Sequence, residues 1–386
     1  MDFERIFTAY KEPRLNGRYV TNKYIERILN DLKNVFEVGV IGNSVQGKPI
    51  YCIKGGNGET KVFIWSQMHG NESTTTKAIF DFLNFLKSEE PESKIFRERF
   101  TYYILPIVNP DGAELYTREN AVKVDLNRDS VNLSQPESKV LRTAFESFKP
   151  HFAYNMHDQR SIFGLGDINP KPATVSFLAP SYNAEREINE PRQIAINVIA
   201  AMNETLQKVI PGQVGRFDDG FNINCIGDMF QSLGIPTILF EAGHYQNDYI
   251  REKTRNFVFI AILSGFIAIH ENVIVVNKTD DYFKIPQNKI NFYDFIYKNV
   301  KINYENKQKI TNFASHYKEV LIDDSVIFEA YIKETGELEG FYGHIEYDCE
   351  GALFVGSDKS NLPKSEEKAD FIIGTDREFV NGLEKK

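Results

Sequence analysis

From about residue 35 to residue 272, short apolar runs alternate with stripes of helical period, and this alternation constrains the fold more than any other feature. Val62-Phe63-Ile64-Trp65 reads as a buried strand, and Ala78 to Leu86 carries an apolar stripe of helical period. Phe100 to Val108 reads as another strand, closed by the turn signal Asn109-Pro110-Asp111-Gly112. Helical patterns follow at Glu137–Phe148, Arg192–Val209 and Tyr249–His270, with strand candidates Ala153–Met156 and Thr237–Phe240 between them. Strands that are apolar on both faces, separated by helices, predict an α/β fold with a mostly parallel sheet covered by helices. After about residue 272 the texture changes. Val273–Val276, Val326–Ile332 and Glu339–Ile345 read as strands set among Asn, Asp, Gly and Lys. The expected organisation is a first domain over 1–274 and a smaller β-rich domain over 275–386.

Composition narrows the class. A chain of 386 residues fits two domains, and 42% hydrophobic residues supply a sizeable core. Lys and Arg number 45 against 54 Asp and Glu, a net charge of −9 that argues against a nucleic-acid binder. Cys52, Cys225 and Cys349 form no C-x-x-C pair and cannot make a disulfide framework, which fits a reducing compartment. The N-terminus shows no basic segment followed by an apolar run. The longest apolar stretch reaches only from Phe257 to Ile269, short of the roughly 20 residues that span a bilayer. The expectation is a cytoplasmic chain without membrane or nucleic-acid partners.

The candidate chemistry sits at strand ends. His69-Gly70-Asn71-Glu72 follows the first strand, so that His69 reaches the sheet edge and Glu72 turns back beside it. The second run, Ala153 to Met156, delivers His157, with Asp158 or a backbone carbonyl available to hold the ring nitrogen that binds no metal. Two histidines and one carboxylate are a common catalytic zinc set. Each motif alone also fits a polar turn or a half-buried histidine; their convergence carries the argument. The third run, Thr237 to Phe240, ends in Glu241, and a carboxylate there is costly unless it faces a polar cleft. Ligands of open α/β sheets bind beyond the carboxyl ends of the strands. Arg118 and Asp125-Leu126-Asn127-Arg128-Asp129 lie in a loop between strands. They read either as solvated surface or, beside a metal, as groups that polarise a carbonyl and hold a carboxylate.

His69-Gly70-Asn71-Glu72, Asn109-Pro110-Asp111-Gly112, Arg118, Asp125 to Arg128, His157 and Phe240-Glu241 together resemble, in order, the zinc carboxypeptidases of the carboxypeptidase A type, peptidase family M14. The resemblance spans about residues 40–270 and implies a mixed sheet of about eight strands flanked by helices. It implies one zinc ion on His69, Glu72 and His157, with Glu241 as general base and Arg118 assisting the oxyanion. Asn127 and Arg128 would grip the free carboxylate of a peptide or peptide-like substrate. The family's mobile tyrosine has no counterpart in Arg216 to Phe221; Tyr245, which follows Glu241, is a candidate to approach the site instead. Counting back from Glu241 puts Ile226 at the floor of the side-chain pocket, which would favour an apolar end. A slip of two reaches Asp228, which either attracts a cationic end or caps the helix suggested by Met229-Phe230-Gln231. Two rivals stand beside this reading: a zinc amidohydrolase acting on small N-acyl amino acids or cell-wall peptides, and an inactive metal-bound recognition module.

Overall fold

The computed structural model describes residues 1–272, 275–305 and 307–385. Two N-terminal helices, α1 (Phe3–Tyr10) and α2 (Asn22–Leu32), precede the strands β1 (Glu37–Asn43), β2 (Pro49–Gly56) and β3 (Thr60–Ser66). Then come α3 (Thr74–Leu86), α4 (Pro91–Arg99), β4 (Phe100–Leu105), α5 (Pro110–Leu115), α6 (Pro136–Phe148) and β5 (Phe152–Asp158). After β6 (Phe163–Leu165), β7 (Lys171–Pro172) and β8 (Val175–Leu178) the chain forms α7 (Glu190–Leu206), β9 (Val214–Arg216), α8 (Ile226–Ser232) and β10 (Thr237–Ala242). Helices α9 (Glu252–His270) and α10 (Thr279–Lys284) follow. Among the described residues no helix is long and apolar enough to cross a membrane.

The central sheet has eight strands in the order β1-β2-β4-β3-β5-β10-β8-β9. Its centre is parallel, β4 with β3, β3 with β5 and β5 with β10, and antiparallel pairs flank it. The expected mixed α/β sheet is therefore present. Alternation along β3 shows why both faces need helices. Val62 and Ile64 enter a core with residues of α3, α7 and α9, where Phe82 and Phe266 stack at 4.9 Å. Phe63 and Trp65 point the other way, into a cluster with Phe145 of α6 and Phe230 of α8.

Several local expectations change. Asn109-Pro110-Asp111-Gly112 does not simply turn the chain but starts α5: Asn109 is its N-cap, its Oδ1 accepting from Gly112 N at 2.8 Å, and Pro110 occupies the first turn. Of the expected strand at 273–276, Val273 and Ile274 lie outside the described residues, and Val275 and Val276 are not in a strand. The sequence reading gave no helix for 3–10 or 22–32. Both carried local signals: Asp2 caps α1 by accepting from Arg5 N, and α2 buries a stripe of helical period, Ile25, Ile28, Leu29 and Leu32.

The chain divides into two compact units, Met1–Gln159 with Ala173–Asn288, and Arg160–Pro172 with Lys289–Lys386. The division falls at 288 rather than the expected 274 because the intervening residues complete the first unit. Tyr282 and Ile285 belong to its main core, and Tyr282 Oη accepts from Ala179 N. The second unit contains β11 (Lys289–Ile290), β12 (Phe292–Tyr304), β13 (Lys307–Ile322), β14 (Ser325–Gly336), β15 (Tyr342–Asp348), β16 (Phe354–Gly356), β17 (Phe371–Ile373), β18 (Arg377–Val380) and β19 (Leu383–Glu384). It forms three sheets, β11-β6-β7, β14-β13-β12-β15 and β16-β17-β18-β19, the latter two sharing a core that includes Tyr297, Phe313, Phe371 and Phe379.

Candidate metal centre

His69 follows β3 on a turn that the neighbouring chain shapes. Gln67, two residues earlier, is left-handed at φ 49°, and its side chain is pinned: Nε2 donates to Val20 O at 2.7 Å and Gly70 O at 2.8 Å. Asn109 Nδ2 donates to Met68 O at 3.2 Å. Gly70 lies directly on α5, where an added Cβ would sit 1.9 Å from the Gly112 carbonyl carbon. The two sequence motifs thus interlock, and only glycine fits at the contact.

His69 Nδ1 lies 2.8 Å from Glu72 Oε1, His157 Nδ1 lies 2.8 Å from Glu72 Oε2, and the two ring nitrogens are 3.1 Å apart. Among the described residues these three form the one group of His, Cys, Asp or Glu whose donor atoms lie within 4.8 Å of each other. Zinc bonds of 2.0–2.1 Å in tetrahedral geometry space the ligand atoms roughly 3.3 Å apart, so the donors already stand near the spacing a cation sets. Two imidazoles and a carboxylate match the zinc set, and the residues fit the ion.

Carboxylates crowd around this group. Asp125 Oδ1 lies 3.1 Å from His69 Nε2, and Asp125 Oδ2 takes Arg118 Nε at 3.1 Å. Arg118 also reaches Glu72 Oε1 at 3.3 Å, with 43% of its side chain exposed. Burial would raise the Asp125 carboxyl, but the bond to His69 and the Arg118 charge outweigh it and hold it below the ordinary range. Burial likewise raises Glu72 less than His69 and His157 lower it. His69 shows the converse balance: burial opposes its protonation, and Glu72 and Asp125 prevail, so its pKa rises. Burial wins at His157, whose pKa falls.

Glu241 pairs in parallel register with His157. Its Oε2 is buried with no hydrogen-bond partner among the described residues. Burial first, then the nearby Glu72 and Asp158, push its carboxyl well up. Such accumulated negative charge is what a bound cation offsets.

Asp158 does not hold a histidine nitrogen, as one reading of the sequence had it. It caps α3, Oδ2 accepting from Thr74 N at 3.0 Å and Oδ1 from Thr75 N at 3.3 Å, while its own N–H donates to Glu72 Oε2 at 3.2 Å. Asp125 holds His69 instead, and His157 Nε2 is buried without a partner among the described residues. Sequence reasoning quoted Asp125 within a motif but assigned it nothing. The signal available was its place two residues before Asn127, whose N–H it takes at 2.9 Å.

The remaining candidates lie around the start of α8. Asn127 Oδ1 accepts from Ile226 N at 3.0 Å, and Arg128 Nη1 donates to Asn127 O at 2.7 Å. Ile226 is 3% exposed, and its side chain belongs to the apolar cluster with Trp65 and Phe230. Asp228 is 7% exposed, and its Oδ2 accepts from Asn222 N at 2.8 Å. Burial lifts Asp228 to about 6, against the opposing pull of the Asn222 bond and Arg128. It ties down the preceding loop, since no side chain makes the cap bond of α8 from Cys225, its N-cap residue. Tyr245 packs on Phe257 of α9 at 5.3 Å between ring centroids, with Lys253 Nζ 5.2 Å from its ring centre.

The zinc carboxypeptidase family pattern, peptidase M14, matches residues 21–161. That stretch holds His69, Glu72, Arg118, Asn127, Arg128 and His157; Glu241 lies beyond it. "Probable carboxypeptidase 2" of Arthroderma benhamiae is 31% identical over 132 residues, covering 33% of this chain and 24% of that protein. The match thus spans about a quarter of that curated relative. The metallo-carboxypeptidase of Burkholderia cenocepacia superposes with a TM-score of 0.51 at 17% identity, over 66% of this chain and 70% of that one. The metallo-carboxypeptidase of Pseudomonas aeruginosa, solved with (2-guanidinoethylmercapto)succinic acid, gives 0.53 at 14% identity, over 66% and 70%. These structural likenesses show the fold.

Proposed function

We propose, on the premise that this is a chain of the zinc carboxypeptidase family, that it hydrolyses the amide bond next to the free carboxylate at the end of a peptide or peptide-like substrate. The observation that carries the reading is the convergence of His69, Glu72 and His157, with Glu241 in register beside His157. The three ligands would hold one zinc ion, which when bound supplies a Lewis acid and a water of lowered pKa. Glu241 is suited to take a proton, because its Oε2 has no hydrogen-bond partner among the described residues and burial with the nearby Glu72 raises its carboxyl. The same oxygen would return the proton to the departing amine. Arg118, half exposed and steadied by Asp125 and Glu72, would donate to the developing oxyanion. Among the described residues Asn127 Nδ2 makes no hydrogen bond while Oδ1 is engaged by Ile226, so it would donate to the terminal carboxylate, and exposed Arg128 would complete the grip. Its free cysteines support the cytoplasm as the proposed place of action.

The test is metal content and turnover together. The purified chain supplied with zinc should carry one ion and cleave free-acid peptides well ahead of their amides. Glu241→Gln should keep the ion and lose at least ~10²–10⁴ in turnover, the range for loss of a general base. No near-stoichiometric zinc in the parent, or variant turnover within tenfold of it, would refute the reading.

A further inference from the structure

The chain passes between its two units at three places, after Gln159, before Ala173 and after Asn288. All three of these residues belong to the first unit, and one side chain joins them. Gln159 is 5% exposed. Its Nε2 donates to Ala173 O at 2.6 Å and to Ser176 Oγ at 3.1 Å, and its Oε1 accepts from Asn288 Nδ2 at 2.9 Å. Ser176 Oγ donates to Asn288 Oδ1 at 3.1 Å, closing the network.

The backbone of Gln159 is held equally firmly. Its N–H donates to Ala242 O at 2.8 Å, and its carbonyl accepts from Arg251 Nη2. Its amide also packs on the residue two past Glu241: a Cβ on Gly243 would lie 2.4 Å from Gln159 Nε2 and 2.0 Å from Ala173 O. Gly243 N in turn donates to Thr174 O at 2.8 Å. Ser176 stands opposite Glu241 in the antiparallel register of β8 and β10. One buried amide therefore touches the segments that carry His157 and Glu241, the point where the chain re-enters the first unit at Ala173 and the point where it leaves again at Asn288.

We infer that Gln159 is a positioning residue: its side-chain amide fixes the ends of β5 and β10, and with them His157 and Glu241, to the points where the chain leaves and re-enters the first unit. A buried amide with both ends satisfied is a stiff link, since losing either partner strands a desolvated donor or acceptor. The inference rests on the proposed role of His157 as a zinc ligand. One arm of its test does not depend on that role.

The experiment uses the full-length chain with Gln159→Ala, Gln159→Glu and Asn288→Ala. Zinc affinity is read by competition with a chromophoric chelator, and local opening by backbone hydrogen exchange. Gln159→Ala should weaken zinc at least tenfold, as loss of groups that orient metal ligands does. It should also speed exchange at the Gln159 and Gly243 amides at least tenfold, with the amides in the middle of α7 and α9 unchanged. Gln159→Glu keeps the acceptor toward Asn288 but sets an oxygen against Ala173 O, so it should match the alanine variant. Asn288→Ala removes one of the Gln159 amide's bonds, together with the Ser176 bond, and should fall between that variant and the parent; with Gln159→Glu it carries the test if Gln159→Ala does not fold. Zinc affinity within twofold of the parent overturns the inference, as does accelerated exchange spread evenly over the whole first unit. If the parent binds no zinc, the proposed function fails, and unchanged exchange at Gln159 and Gly243 alone would then overturn the clamp.

Discussion

Asp228 is a buried carboxylate whose only hydrogen bond among the described residues comes from Asn222 N. Its folded pKa of about 6 lies above its ordinary value of 3.8. A raised acid favours folding only while protonated, so the fold bears no cost from it below about pH 4. The cost grows as pH rises toward 6 and is complete above it, with a ceiling of about 3 kcal/mol. Asp228→Asn keeps an acceptor for Asn222 N and cannot ionise. Its stability relative to the parent should improve by about 2–3 kcal/mol between pH 4 and pH 7, measured by urea unfolding. A stability difference that stays flat across that range would show that Asp228 is not held raised. At this scale the sequence revealed most where a polar residue ended an apolar run: His69, His157 and Glu241 stand out because burial makes them costly without a purpose. Asp125 was opaque because its partner His69 lies 56 residues away. Counting residues to Ile226 could not reveal that its backbone N–H, rather than its side chain, engages Asn127.

Elements meet at the site through two contacts that sequence patterns describe only singly. Asp158 ends β5 and caps α3, so the strand that delivers His157 also fixes the helix that follows Glu72. Residues 109–112 carry every turn signal, yet the same Asn and Pro are an N-cap and first-turn residue, and only the helix that follows decides between them. Gly70 against Gly112 tests how much depends on this packing. Gly70→Ala forces a Cβ to within 1.9 Å of a backbone carbon, and neither α5 nor the turn between His69 and Glu72 is a flexible side chain that can yield. The variant should lose about 3 kcal/mol, the upper range for overpacking. Zinc binding should weaken with it, because the shift falls between His69 and Glu72. Thermal unfolding and chelator competition measure the two effects; a variant equal to the parent in both would mean the turn relaxes freely.

The whole molecule shows where composition misleads. A change in texture near residue 272 marked the β-rich part correctly as a class, since its strands are local in sequence. It placed the boundary too early because 275–288 is polar in composition yet completes the first unit. Tyr282 is fully buried, and the Arg216 guanidinium lies 5.4 Å from the centre of its ring. Arg216 N donates to Pro286 O at 2.9 Å, and Asn288 N to Arg216 O at 2.9 Å. Residues 160–172 were unreadable for the opposite reason: β6 finds its partner β11 more than a hundred residues later. Two truncations separate these effects. A chain ending at 288 and one ending at 274 both leave β6 without β11, so that loss cancels in the comparison. Only the shorter chain also loses Tyr282, Ile285 and the bonds to Arg216. Removing a large buried aromatic side chain costs about 3–5 kcal/mol. The 274 chain should therefore be less stable than the 288 chain by at least about 3 kcal/mol in urea unfolding, or fail to fold where the longer one folds. Equal stability of the two would place residues 275–288 outside the first unit and return the boundary to 274.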